Sequence, residues 1–189
     1  MKPRKRTFHQ TVRAIVDKGR HPLIPTWERL VQRGRMTAVF SRNEQGKEVA
    51  VSMFYPKPFT PREVAKHIGE EHWDELRQDA NFLRDLNKVG LRINDLKIGI
   101  GHYIETTKNE KGHGHGSSVV RQGEAIMKAN GAQVRIIIFT GSGDDTLYVK
   151  NGYKMFQHRP TWRPRLLPRG SGDKQKSYRI PRLCYYKIL

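Results

Sequence analysis

The sequence predicts an α/β protein with a mixed sheet flanked by helices and an atypical amino-terminal half. The second half supports this most strongly, because its order of strand, glycine-rich turn, helix, strand, helix, strand places parallel strands side by side. Val134–Phe139 is apolar at nearly every position, as expected of a strand buried on both faces. A chain of 189 residues is long enough for one domain with a substantial core.

The amino-terminal part predicts two short helices and a hairpin. One helix lies around Val12–Asp17, and Thr26 is expected to cap a second helix that runs through Val31. The strands Met36–Phe40 and Glu48–Tyr55 then flank a turn. Apolar residues alternate along the second strand, which indicates one buried face.

Two helices are predicted after the hairpin. Thr60 begins the first, because its hydroxyl can accept from the Glu63 amide while the Glu63 carboxylate reaches back. Gly69 interrupts the pattern, and Gly90 ends the second helix. Apolar residues at spacings of three and four predict one buried stripe: Val64, Ile68, Trp73, Leu76, Ala80 and Leu83.

The remaining elements form the predicted α/β core. Leu96–Thr106 is a strand in which Gly99 and Gly101 predict a bulge or a close approach of another group to the backbone. A helix over Ser117–Asn130 is closed by Gly131. The last predicted elements are a helix over 144–150 and strands over 153–157 and 183–189.

Positive charge is concentrated at the two ends of the chain, whose total net charge is +18. Residues 1–35 hold ten Lys or Arg and two Asp or Glu, and residues 157–189 hold nine and one, so each end has a net charge of +8. Such ends attract phosphate backbones or acidic surfaces. A solvated basic tail is the alternative interpretation.

Cysteine content and hydropathy favour a cytoplasmic protein. Cys184 is the single cysteine and has no partner for an internal disulfide. No stretch approaches the ~18 apolar residues of a membrane span. The basic amino terminus also lacks the apolar run of a secretory signal.

A glycine-rich turn precedes the helix that starts at Ser117. Gly112, Gly114 and Gly116 allow backbone amides to face a ligand, and the amino end of a helix favours negative charge. The turn is therefore a candidate phosphate-binding loop, although its spacing matches neither the dinucleotide fingerprint nor the P-loop. A merely flexible connection is the alternative.

The register of this turn resembles the acetyl-CoA signature of the GNAT superfamily of N-acetyltransferases. Lys111-Gly-His-Gly-His-Gly-Ser-Ser-Val-Val120 is similar to Arg/Gln-x-x-Gly-x-Gly/Ala followed by apolar helix residues, and the loop amides of that family bind the pyrophosphate of coenzyme A. Lys111 departs from the signature and lacks the planar fork of Arg. The resemblance implies acetyl-CoA as cofactor, bound by Lys111, Gly112, His113, Gly114, His115, Gly116 and Ser117.

Two later segments resemble the same superfamily. Tyr148-Val-Lys-Asn-Gly-Tyr153 is similar to Tyr-x-x-x-Gly-Phe/Tyr, which implies that Tyr148 protonates the leaving thiolate; a core aromatic residue is the alternative. The run 183–189 is similar to the closing strand. The resemblance covers residues 94–156 and 180–189, and the helices that follow the hairpin indicate either an insertion or a rearranged amino-terminal half.

Acetyl transfer requires an oxyanion site and a base. The segment Ile100–Glu105 is the candidate for donating a backbone amide to the oxyanion, because it precedes the cofactor loop. His102 and Glu105 are the candidate bases, with Glu105 preferred; ordinary polar strand residues are the alternative. Because they are three residues apart in a strand, they are expected to point to opposite faces.

Two other groups of residues contain side chains suited to metal or nucleic-acid binding. His113 and His115, with His102, give no closed ligand set, and we expect no metal. A basic loop over 158–180 could stack on bases and pair with phosphates, or cover the acceptor site, and a disordered insertion is equally consistent. Its candidate residues are Arg159, Trp162, Arg163, Arg165 and Arg169.

The sequence therefore predicts a basic extension over 1–35 and one GNAT-like domain over 36–189, with a cofactor-binding core at 94–156. The predicted function is acetyl transfer from acetyl-CoA to an amine on a protein, an aminoacyl-tRNA or a small molecule. The basic ends favour an acidic protein or a nucleic acid as partner. The alternative is a catalytically inactive GNAT-like module that binds nucleic acid or serves a structural role, since fold resemblance does not establish activity.

Overall fold

The computed structural model describes residues 8–16, 24–139, 146–157 and 183–189. Its strands form one six-stranded sheet in the order β1-β2-β3-β4-β6-β5. They are β1 (Thr37–Arg42), β2 (Glu48–Phe54), β3 (Ile98–Thr106), β4 (Val134–Phe139), β5 (Lys154–Met155) and β6 (Leu183–Ile188). β3 and β4 are parallel neighbours, and the other pairs are antiparallel. The predicted α/β class with a mixed sheet is confirmed.

Helices cover both faces of this sheet. The described α-helices are α1 (Phe8–Ile15), α2 (Ile24–Gln32), α3 (Pro61–Ile68), α4 (Glu70–Arg77), α5 (Ala80–Lys88), α6 (His115–Ala129) and α7 (Thr146–Lys150). α6 packs across β1, β2 and β3 on one face, with α7 beside it. On the opposite face, α1 and α2 pack on β2, and α3, α4 and α5 pack on β3, β4 and β6. Within the described part of the chain, no helix is long and apolar enough to cross a membrane.

The amino-terminal helices differ from the prediction in position and in role. α2 starts at Ile24, so Thr26 lies inside the helix instead of capping it, and Pro25 occupies a first-turn position that needs no amide. Val12 of α1 and Trp27 of α2 are buried against the sheet. The described part of residues 1–35 therefore contributes to the core, while the division of the chain into domains stays a prediction.

The region between the hairpin and β3 contains three α-helices instead of the predicted two, followed by a short 3-10 helix over Ile93–Asp95. The capping box at Thr60 is confirmed, since the Thr60 amide donates to Glu63 Oε2 at 2.7 Å and the Glu63 amide donates to Thr60 Oγ1 at 3.3 Å. The predicted second helix is interrupted at Asp79, which accepts from the Phe82 amide at 2.9 Å and begins α5. The restart changes the helix register, so Phe82 and Leu86, not Ala80 and Leu83, supply its buried apolar side chains.

The other predicted elements agree closely with the structure. The hairpin strands, β3, α6, β4 and β6 each lie within two residues of their predicted bounds. β5 is shorter than the predicted strand over 153–157. The described part of the predicted helix over 144–150 is α7, and Asp144 lies outside the described residues.

Candidate functional site

The sheet opens between its two parallel strands. β3 and β4 are paired as far as Gly101 and Ile137. Beyond these residues β3 continues to Thr106 against β2, whereas β4 continues to Phe139 against β6. We call the opening between the two carboxyl-terminal halves the split. Strand backbone along such an opening presents hydrogen-bonding groups that an extended ligand can use.

The glycine-rich loop leads from the split to α6. Gly112 and Gly114 have φ values of 91° and 83°, a left-handed region that favours glycine. No neighbouring atom lies within 4 Å of a Cβ built on either residue, so the loop is open. Gly114 begins α6 without any side-chain cap, and Lys111 and His113 are exposed beside it. An open loop at an uncapped helix start is a suitable place for an anion.

Side chains at both ends of the loop are tied to the β1–β2 hairpin. His115, the first residue of α6, lies with Nδ1 2.9 Å from Ser41 Oγ and with Nε2 3.6 Å from Glu110 Oε2. Glu110 Oε1 in turn accepts from Asn43 Nδ2 at 2.9 Å. We call these four side chains the brace. Because the His115 ring is held by the brace, its backbone amide is the better candidate for a cofactor contact.

Contacts at the first turn of α6 position α7. Ser117 Oγ accepts from Asn151 Nδ2 at 2.9 Å, and Asn151 also donates to the Leu147 carbonyl at 2.7 Å. A Cβ on Gly116 would lie 3.3 Å from Leu147 Cδ1, so glycine permits the close approach of the two helices. These contacts hold Tyr148 beside the loop. The role of Asn151 was not predicted from the sequence.

Tyr148 lies on the α6 side of the split. Its side chain is 4% exposed and belongs to one apolar cluster with Ile137 of β4 and Ile104 of β3. Its ring stacks on Tyr185 at a centroid distance of 5.2 Å. Burial raises the pKa of Tyr148 to about 12, and the positive charge of Arg135 opposes this rise. Tyr148 therefore keeps its proton at neutral pH.

A β-bulge lies in β3 where the split begins. Met53 of β2 pairs with Tyr103, and the next residue, Phe54, pairs with Gly101. His102 is therefore an extra residue in β3, and the regular alternation of side chains changes there. The prediction of a bulge or a close approach around the glycines of this strand is confirmed.

The bulge corrects the predicted orientation of the two candidate bases. The Trp27 ring of α2 lies 6.0 Å from the His102 ring and 4.6 Å from the Tyr103 ring. The Tyr103 hydroxyl donates to Glu105 Oε2 at 3.2 Å. His102 and Glu105 thus share the face opposite α6, and the prediction of opposite faces is wrong because it assumed an uninterrupted strand.

Aromatic side chains extend this face away from Glu105. The Tyr55 ring lies 6.1 Å from the His102 ring, 5.3 Å from the Phe59 ring and 5.1 Å from the His67 ring. All four rings are half-buried. Burial lowers the pKa of His67 and thereby favours its neutral form. The α2 side of the split thus combines an aromatic surface with one carboxylate.

A buried arginine lies beneath α6 at the closed end of the split. Arg135 is 0% exposed, and its Nη1 donates to the Val120 carbonyl at 3.0 Å. Its Nε and Nη2 have no partner within strict hydrogen-bond distance among the described residues. The Tyr153 hydroxyl lies close enough to interact with both Arg135 and Glu124. Cβ atoms on Gly101 and Gly123 would lie 3.1 Å from Nη2 and 3.5 Å from Nη1, so these glycines make room for the guanidinium. Sequence reasoning missed Arg135, although the glycine in β3 was a signal.

Two sequence-based expectations concern other chemistry. Among the described residues, no group of three or more His, Cys, Asp or Glu side chains is placed to hold a metal ion. The basic aromatic residues lie outside the described residues: Arg159, Trp162, Arg163, Arg165 and Arg169.

Comparisons with known proteins identify the fold. No family model and no curated protein matches the sequence. An agmatine N-acetyltransferase structure is 15% identical, with 96% of this chain and 88% of that chain covered and a TM-score of 0.56. The polyamine N-acetyltransferase of Drosophila melanogaster is 15% identical, with coverages of 88% and 80% and a TM-score of 0.55. A GNAT-family acetyltransferase from Staphylococcus aureus is 10% identical, with coverages of 98% and 95% and a TM-score of 0.51. These structures establish that this chain has the GNAT fold.

Proposed function

We propose that this protein is an acetyl-CoA-dependent N-acetyltransferase. The split carries the proposal, because it leads from the end of the β3–β4 pairing to an open glycine loop and an uncapped helix start. The loop amides would bind the pyrophosphate, and the thioester arm would extend into the split. The similarity in fold to N-acetyltransferases supports this arrangement.

The proposed reaction uses groups on both sides of the split. The amine nitrogen attacks the thioester carbonyl, and Glu105 or His102 accepts the amine proton. A backbone amide of the segment 100–105 stabilises the oxyanion. When the C–S bond breaks, its electron pair moves to sulfur, and Tyr148 supplies a hydrogen bond or a proton to the leaving thiolate. The product is an amide and free coenzyme A.

The acceptor in this proposal approaches from the α2 side. Glu105 would attract an amine, and the rings beside His102 would pack on the carbon chain attached to it. The structural neighbours include enzymes named for agmatine and polyamines. The net charge of +18 instead favours amines carried by acidic proteins or aminoacyl-tRNA. An acceptor screen should therefore include both kinds of amine.

A thiol-release assay with that screen tests the reaction. Tyr148→Phe removes the hydroxyl beside the split, and we expect kcat to fall roughly 100-fold. Tyr153→Phe is the matched control, because Tyr153 is also a buried tyrosine and its ring lies 5.8 Å from that of Tyr148. Equal activities of the two variants would contradict the assigned role of Tyr148.

The same assay determines whether Glu105 or His102 is the general base. We expect Glu105→Gln to lower kcat/KM about 100-fold, while His102→Gln has a smaller effect. The opposite ranking would assign the base to His102. Similar small losses in both variants would exclude a side-chain base at either position.

The brace offers a test of cofactor binding. His115→Ala removes its central contacts, and we expect the Kd for coenzyme A to rise about fivefold because the loop ends lose their support. His115→Asn should restore much of the affinity, since its amide can reach the Ser41 hydroxyl. Glu48→Gln is the control, because it weakens the Arg42–Glu48 pair of the same hairpin at 2.9 Å without touching the loop. Equal affinity of wild type and His115→Ala would contradict the brace.

A nucleic-acid-binding module without catalysis is the second candidate function. The observation that favours it is the concentration of the net positive charge at the two ends of the chain. Salt-sensitive RNA affinity in a protein that does not bind acetyl-CoA would support this function over the first.

A further inference from the structure

No carboxylate pairs with Arg135 in the layer between α6 and the sheet, within the described part of the chain. Glu124 is the acidic side chain of α6 in this layer, and its Oε2 already pairs with Lys187 Nζ at 2.8 Å. Arg135 forms no ion pair among the described residues; its Nη1 donates to the Val120 carbonyl, and the Tyr153 hydroxyl lies near both the guanidinium and Glu124. Among the described residues of this layer, Arg135 and Lys187 are cations and Glu124 is an anion, which leaves an excess positive charge beneath α6.

The guanidinium lies against the closed end of the split. Gly101, whose Cβ position is 3.1 Å from Arg135 Nη2, is the last β3 residue paired with β4. Ile137, its partner in β4, packs against Tyr148. The guanidinium also lies 5.9 Å from the centre of the Tyr153 ring. The guanidinium therefore lies next to the residue pair at which the split begins.

A structural role explains this arrangement poorly. A buried cation costs several kcal/mol unless ion pairs and hydrogen bonds compensate, and two of the three Arg135 nitrogens have no partner within strict hydrogen-bond distance among the described residues. An apolar side chain such as Met would fill similar space without that cost. Unsatisfied buried groups of this kind are concentrated at functional sites.

We propose that Arg135 is a positioning residue for acyl transfer, whose buried charge stabilises the negative charge on the departing sulfur through the Tyr148 hydroxyl. The inference rests on the proposed function. As the C–N bond forms and the C–S bond breaks, the electron pair of the C–S bond moves to sulfur. A cation already fixed in a water-excluded layer stabilises that charge without reorganisation. The same charge also opposes the burial that raises the pKa of Tyr148.

Titration of the thiol of bound coenzyme A tests the proposal without an acceptor. The ultraviolet absorbance of the thiolate is followed against pH in the full-length protein saturated with coenzyme A. The complex with desulfo-coenzyme A, which lacks the thiol, is subtracted to remove protein ionisations. The subtraction covers the titratable and charged groups that the described residues place around this end of the split, which are His102, Tyr103, Glu105, Glu124, Tyr148, Tyr153, Tyr185 and Lys187.

Removal of the Arg135 charge should shift this titration upward. We expect the thiol midpoint in Arg135→Met to be about one pH unit higher than in wild type, a tenfold change in the acid dissociation constant. Arg135→Gln is the second uncharged variant, because its amide can still donate to the Val120 carbonyl if the Met variant does not fold. Arg135→Lys keeps the charge and should restore the wild-type midpoint.

Lys187→Met is the matched control. It removes a positive charge from the same layer but one strand farther from the split, so we expect a much smaller shift. Equal midpoints in wild type and the uncharged Arg135 variants would overturn the proposal, as would an equal shift in Lys187→Met. If the folded wild type did not bind coenzyme A, the proposed function and this inference would fail together.

Discussion

Asp85 and Arg135 are both buried charged side chains, but the protein surrounds them in opposite ways. Asp85 is 4% exposed, and its Oδ2 accepts from Lys154 Nζ and, at 2.9 Å, from the Tyr186 hydroxyl. Its Oδ1 lies 3.7 Å from Lys88 Nζ. Arg135 donates one hydrogen bond and has two nitrogens without a partner within strict hydrogen-bond distance among the described residues.

The comparison distinguishes the charge of Asp85, which stabilises the fold, from the charge of Arg135, whose burial costs stability. The hydrogen bond from Lys154 holds the pKa of Asp85 below its usual range, so the ionised form favours the folded state. In the described part of the chain no carboxylate pairs with Arg135, whose polar neighbours are the Val120 carbonyl and the Tyr153 hydroxyl. Asp85 thus connects α5 with β5 and β6 at the edge of the sheet, whereas the role we propose for Arg135 lies in the chemistry of the split.

The largest expected effect is on the Asp85 side of the comparison. We expect Asp85→Ala to lower the free energy of unfolding by about 3 kcal/mol, because the Tyr186 hydroxyl loses its partner while the exposed Lys154 is resolvated. Urea denaturation at neutral pH measures the change. Asp95→Ala is the control, since Asp95 pairs with Arg92 at the surface and should contribute less than about 0.5 kcal/mol. Equal losses in the two variants would contradict the assignment of Asp85.

A methyl group at Gly101 sharpens the comparison on the Arg135 side. The new Cβ would lie 3.1 Å from Nη2 and 3.2 Å from Ile137 Cγ1, so we expect Gly101→Ala to lower the free energy of unfolding by about 2 kcal/mol. In the Arg135→Met background the cost should fall below about 1 kcal/mol, because the flexible Met side chain can yield. A double-mutant cycle by urea denaturation measures this coupling. Additive effects would show that the glycine does not serve the guanidinium.

Arg135→Met tests the sign of its contribution to stability. We expect the free energy of unfolding to stay constant or to rise by about 1 kcal/mol, because an apolar side chain replaces an unpaired buried cation. Thermal and urea unfolding of the variant and wild type measure the change. A loss of more than about 2 kcal/mol would make Arg135 a structural residue and would reverse the comparison.

The smallest expected effect concerns pH. The folded-state pKa of Asp85 is depressed, so its contribution to stability is present above its unfolded value, about 3.9, and is lost as pH falls through the folded value. The stability difference between wild type and Asp85→Asn should therefore shrink in acid. The difference between wild type and Arg135→Met should not change over the same range, because Arg does not titrate there. Unfolding curves recorded between neutral and acidic pH measure both stability differences. If both differences changed with pH in the same way, the distinction between Asp85 and Arg135 would be contradicted.

The sequence predicted the features that depend on local chemistry. The Thr60 capping box, the glycine loop and the bulge near Gly101 all follow from neighbouring residues, and the first and last are confirmed. The interruption of the helix at Asp79 could not be found in this way, because the same carboxylate also accepts from the Gln157 amide at 2.6 Å, a contact between residues 78 positions apart.

As with the fold, the sequence predicted the parts of the candidate site that depend on local motifs. His102, Glu105 and Tyr148 lie around the split, but their assigned roles stay predictions. The brace joins His115 to Ser41 across 74 positions, and Arg135 is recognisable only when the space vacated by two glycines is known. The sequence also could not predict which face of β3 the side chains of His102 and Glu105 occupy, because one extra residue in the strand changes the face of each later side chain.

Both proposals require the loop between β3 and α6 to bind acetyl-CoA, which isothermal titration measures. We expect wild type to bind and Gly114→Asp to lose binding, because a carboxylate would enter the space assigned to the pyrophosphate. Gly131→Asp is the matched control, since Gly131 has a similar φ of 87° and an open Cβ position at the opposite end of α6. We expect acetyl-CoA to bind to wild type and to Gly131→Asp but not to Gly114→Asp. A folded wild-type protein that does not bind acetyl-CoA, or a Gly114→Asp variant that binds as tightly as wild type, would contradict binding at this loop.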